Sequence, residues 1–99
     1  MIPGITTRIS EAVVALTTTI SPEADLIRVT DTTSTTVMTT VIPHFAGQSG
    51  VMIVVNQSGA NITTVTTGNI LTATTIGQNI GVLFTFSKLT SKWIVGSTT

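Results

Sequence analysis

Ile80-Gly81-Val82-Leu83-Phe84-Thr85-Phe86 reads with a period of two: Ile80, Val82, Phe84 and Phe86 alternate with Gly81, Leu83 and Thr85. Successive side chains of a strand point to opposite faces, so this spacing predicts a strand with one face on a core. Trp93 and Val95 carry the same alternation after Ser87-Lys88-Leu89-Thr90-Ser91, a connection short enough to close a hairpin. Upstream, Val51-Met52-Ile53-Val54-Val55 is apolar without interruption. Such a run is expected of a central strand covered on both faces, by this chain or by a neighbour.

The rest of the chain agrees. Of its 99 residues, 23 are Thr, 12 Ile and 11 Val, so 46 are β-branched and suited to pleated sheet. Good helix formers are scarce, with two Glu, two Lys, two Arg and five Leu. Gly and Asn clusters break the apolar stretches at short intervals, placing strands near 12–20, 25–31, 35–42, 50–56, 61–67, 69–75, 79–87 and 92–97. The reading is all-β: one domain over 1–99, a β-sandwich or small jelly-roll-like barrel of about seven to nine strands. Residues 1–10 are expected as an extended N-terminal arm. The expected core is Ile53, Val55, Ile80, Val82, Phe84 and Trp93, with Trp93 sealing the core in preference to serving as a sugar-stacking platform.

Charge narrows the function. Four Lys and Arg balance four Asp and Glu, so only 8% of residues are charged, where about 25% is usual. That excludes the basic excess of a nucleic-acid binder and the charge density of a disordered tail. Over roughly 5,400 Å² of folded surface, eight charges are about one per 670 Å². Zero net charge and threonine-rich strands without Lys or Pro at their edges favour association, so the edges are expected to be closed or paired. MIPGITTRIS lacks the basic and apolar regions of a secretion signal, and no apolar run is long enough to span a membrane.

Residues for chemistry are sparse. His44 is the only histidine, cysteine is absent, and the four carboxylates, Glu11, Glu23, Asp25 and Asp31, are scattered. No catalytic set, metal or cofactor is expected. Gly47-Gln48-Ser49-Gly50 and Gly77-Gln78-Asn79 lack the lysine and following helix of a phosphate loop, and read as turns. Asn56-Gln57-Ser58 and Asn61-Ile62-Thr63 match the glycosylation sequon but read as turn residues around Gly59.

From Phe45 to Gly96 the chain resembles β-rich modules of bacteriophage structural proteins, namely capsid decoration (cement) proteins and tail fibres. The resemblance lies in Gly47-Gln48-Ser49-Gly50, Ile53-Val54-Val55-Asn56-Gln57-Ser58-Gly59, Ile62-Thr63-Thr64-Val65 and Gly68-Asn69-Ile70. It continues through Gly77-Gln78, Val82-Leu83-Phe84 and Lys92-Trp93-Ile94-Val95. In those modules an Asp-Gly-type turn often precedes the Trp, where this chain has Ser87-Lys88-Leu89-Thr90-Ser91. A small chain starting at Met1 fits decoration better than a long fibre.

What the resemblance implies is a virion structural protein, made in the host cytoplasm and placed on the capsid surface. It would bind the major capsid protein and its own copies, commonly as a homotrimer, without nucleic acid, membrane or catalysis. The alternatives are a tail-fibre module and a carbohydrate-binding module. For the partner interface the apolar start, Met1, Ile2, Pro3 and Ile5, suits an extended arm lying on a partner. Arg8 and Arg28 supply guanidinium groups that reach carboxylates and carbonyls across a seam.

Overall fold

The computed structural model describes residues 10–44 and 47–96. Within them the chain forms ten strands and no helix: β1 (Glu11–Ala15), β2 (Thr19–Ile20), β3 (Leu26–Asp31), β4 (Val37–Met38), β5 (Thr40–Val41), β6 (Gly50–Asn56), β7 (Ile62–Thr64), β8 (Thr74–Ile76), β9 (Gly81–Ser87) and β10 (Lys92–Val95). A five-stranded sheet runs β1-β3-β6-β9-β10, and two smaller sheets are β2-β5 and β4-β7-β8. The all-β reading holds, and the barrel does not close.

β1, β3 and β6 are parallel neighbours, whereas β9 and β10 complete the large sheet antiparallel. Parallel neighbours depart from the antiparallel pairing of a jelly roll. They arise because the chain leaves the large sheet, adds a short strand to a small one, and returns. β2 lies beside β5 and β4 beside β7, both parallel.

Two predicted strands turn out to be two elements each. Residues 35–42 change partners at Thr39, whose N–H and Oγ1 both donate to the carbonyl of Thr18. β4 before it pairs with β7 and β5 after it pairs with β2. Likewise 12–20 divides after Leu16, whose N–H closes on the carbonyl of Asp31. Thr is at home in strands and equally able to hydrogen-bond a corner, so it does not mark the break. The strand predicted at 69–75 shrinks to β8 and one bridge from Ile70 to Trp93.

One core lies between the layers. Met52, Val54, Val82, Phe84 and Trp93 face inward from the large sheet, and Val41, Met38, Ile62 and Ile76 meet them from the small ones. The Trp93 ring stands edge-on to Phe84 at 6.1 Å and tilted against Phe86 at 5.1 Å, arrangements suited to aromatic quadrupoles.

Three expected core residues lie elsewhere. Ile53 and Val55 point away because β6 pairs with β9 so that Met52 is opposite Phe84 and Val54 opposite Val82. Cross-strand partners share a face, so Met52 and Val54 follow the β9 core residues inward. Ile80 precedes β9, in a turn where Asn79 has φ 63° and the Ile80 N–H bonds Gly77. There the alternation has not begun, and Ile80 is exposed.

The polar side chains of Asn56 and Thr64 are buried and matched. Asn56 spends its whole amide: Nδ2 donates to the carbonyls of Ala60 and Ile76, while Oδ1 accepts the N–H and hydroxyl of Ser58. Thr64 is equally buried, its Oγ1 donating to the Thr72 carbonyl and accepting the Thr74 N–H. The turn reading holds for Gln57 and Ser58, whereas Asn56 ends β6 with its amide inside the fold. Asn61-Ile62-Thr63, also expected as turn, instead leads into β7, because Ile62 is buried and pairs with Ile76.

Candidate functional site

The outward face of the large sheet follows from the same register. With Met52, Val54, Val82 and Phe84 turned inward, the alternate residues must face out. Leu26, Ile53 and Leu83 form one cross-strand row. Val51, Thr85 and Ile94 form the next. On the other side of the first row come Val13, Arg28 and Val55. Within a single chain Val13 is 61% exposed, Val51 54%, Leu83 48% and Ile94 48%. Lone exposed apolar side chains are ordinary, but adjacent ones on a rigid face are a patch.

Charge enters this patch at Arg28, between Val13 and Val55, and borders it at Glu11 on β1 and Lys92 on β10. Arg28, on β3, donates from Nη1 to Glu11 Oε2 at 3.2 Å and from Nε to Gln57 Oε1 at 2.8 Å. The pair is about half exposed, so it fixes the guanidinium direction more than it stabilises the fold. Lys92 lies on β10, at the opposite side of the sheet.

The two edges of the sheet differ. β10 is capped by the segment after Gly68: the Trp93 N–H donates to the Asn69 carbonyl and the Leu71 N–H to the Trp93 carbonyl. Beyond β1 no strand pairs among the described residues. Among the described residues the pairing expected of an edge is present at β10.

A second cluster joins Ser10, Asp25 and His44. His44 Nε2 lies 2.8 Å from Asp25 Oδ1, and the Ser10 N–H and hydroxyl both reach Asp25 Oδ2. An ionised carboxylate only accepts, so the histidine nitrogen facing it carries the proton. The backbone N–H of Ser10, then the His44 side chain, hold Asp25 below its ordinary value of 3.8, against a smaller opposing effect of burial. The carboxylate sits between the hydroxyl and the imidazole. The imidazole therefore does not face the hydroxyl as an activating base would, and the cluster acts as a latch between residue 10, the start of β3 and the segment after β5.

Among the described residues no three potential ligands gather for a metal, and no ligand-sized cleft opens. Of the residues expected at a partner interface, Arg28 lies on the outward face. Met1, Ile2, Pro3, Ile5 and Arg8 lie outside the described residues. Ser10, the last residue of the expected arm, is tied to Asp25. Trp93 is fully buried, so it offers no platform to a sugar. The face residues Val51, Ile53 and Leu83 were not singled out as site residues, although the unbroken apolar run at 51–55 already required a second cover.

The chain matches no family model, no curated protein and no solved structure.

Proposed function

We propose that this is a virion structural protein, a capsid decoration (cement) protein that works by area of contact and not by catalysis. The supporting observation is the outward face of the five-stranded sheet, where apolar residues from all five strands, Val13 to Ile94, lie side by side on a rigid support. A face of this kind gains most by being covered, since apolar burial contributes about 25 cal/mol per Å². A low and balanced charge, 8% of residues, suits a protein that works while packed against others. In this reading the partners are the major capsid protein and further copies of the chain, in a homotrimer on the outer shell. Arg28, held in place by Glu11 and Gln57, directs its remaining donors across the seam.

The experiment is co-sedimentation with capsids purified from the phage that encodes the chain. The expected result is a saturable, stoichiometric pellet on heads. Protein that stays in the supernatant at every concentration would end the decoration reading, and a signal on tails alone would make it a fibre module.

A further inference from the structure

We infer that the outward face of the five-stranded sheet is the surface on which copies of this chain bind one another, with Ile53 and Leu83 at its centre. The inference deepens the contact reading above, on which it rests, by assigning the face an occupant: another copy of the same chain.

Area supports this occupant. β6 and β9 are seven residues long and five strands lie side by side. At about 3.3 Å per residue and about 4.8 Å per strand the face measures roughly 24 by 20 Å, or about 480 Å² in flat projection. Covering it on two copies removes about 1,000 Å² from water, the size at which specific association begins. Twisted sheets also stack face to face at about 10 Å, so the fold already has the shape required of its partner.

The pattern on the face supports it as well. The middle row, Leu26, Ile53 and Leu83, is apolar and self-complementary, so any copy laid on it meets like with like. Glu11 on β1 and Lys92 on β10 stand at opposite edges, and the one charge within the face, Arg28 between Val13 and Val55, is already paired with Glu11. The same patch meeting itself on two copies is an isologous contact that closes as a two-fold pair, distinct from the contact that would hold a homotrimer.

Sedimentation equilibrium of the full chain at micromolar concentration tests this. The wild type should have the mass of an oligomer. Ile53→Lys and Leu83→Lys, each placing a charge at an already exposed position, should weaken self-association by at least about ten-fold, with far-ultraviolet circular dichroism and melting unchanged. Leu89→Lys, at the hairpin tip and 90% exposed, should leave the mass as it was. If one variant misfolds, Ile94→Lys on β10 replaces it. A monomeric wild type, or folded variants that keep the oligomer, would overturn the inference. Should a monomer still pellet with capsids, the inference falls and the decoration reading survives. An oligomer that the variants dissociate but that never pellets has the opposite meaning.

Discussion

Trp93 Nε1 donates to the main-chain carbonyl of Val41 at 2.9 Å, across 52 positions of sequence and from the five-stranded sheet to the β2-β5 pair. The same carbonyl accepts Asn69 Nδ2 at 2.6 Å, while Asn69 Oδ1 accepts the Val41 N–H at 2.9 Å. The Asn69 side chain thus does for Val41 what a neighbouring strand would. It satisfies both peptide groups at a place where β5 has run out of sheet, and the indole locks the layers together at that point.

Asn69→Ala should therefore destabilise the fold by about 1–3 kcal/mol, because it leaves the Val41 N–H without its acceptor. The check is denaturant unfolding followed by Trp93 fluorescence, which reports the same contact. Asn69→Asp should also destabilise, since it keeps an acceptor but removes the donor to the Val41 carbonyl. An Asn69→Ala variant as stable as wild type would show that the contact contributes nothing.

Gly68 and Gly59 should behave oppositely. A methyl on Gly68 would overlap the Thr39 carbonyl oxygen and Thr40 Oγ1, and the first of these is backbone at the corner between β4 and β5. Around Gly59 there is nothing within 4 Å. Gly68→Ala should cost about 1–3 kcal/mol or more, whereas Gly59→Ala should be neutral or stabilising by up to about 1 kcal/mol. Melting temperatures of the two variants, compared side by side, decide it.

Acid should weaken the fold through Asp25 and Asp31. Hydrogen bonds from Ser10 and His44 hold Asp25 below 3.8, and the backbone N–H and then the hydroxyl of Thr33 do the same for Asp31. A carboxyl whose pKa falls on folding stabilises the fold above its unfolded value. That contribution is lost as pH drops through the folded value. Asp25→Asn should thus be less stable than wild type at pH 7, with the gap closing as pH falls below 3.8. A gap that is constant with pH would remove the latch from the account.

Much of this architecture was readable where residue types alternate. β9 announced its inner face because Val82 and Phe84 flank Leu83 against Gly81 and Thr85, and Trp93 followed from the hairpin. β6 carried no such parity: in Val51-Met52-Ile53-Val54-Val55 every position is apolar, and only the pairing with β9 decides that Met52 and Val54 go in. The parallel order β1-β3-β6 was hidden for another reason. Parallel neighbours are ordinarily signalled by a helix between strands, and here short strands of the opposite layer make the return. The same ambiguity hides the candidate face, because an unbroken apolar run lets Ile53 and Val55 be expected in the core as readily as Met52 and Val54. Arg28 was legible as a contact residue through its chemistry, but its anchoring by Glu11 and Gln57 depends on the β1-β3 and β3-β6 registers.

The central claim is that the Leu83 face is covered when the protein is at work, and a single thiol tests it most directly. The chain has no cysteine, so Leu83→Cys and Leu89→Cys each carry one reactive group. Their rates of maleimide labelling, measured over a dilution series, report cover on the face and at the hairpin tip. The account predicts that Leu83→Cys labels fast when dilute and is progressively protected as the protein is concentrated, while Leu89→Cys labels at one rate throughout. Equal, concentration-independent labelling of both would contradict it.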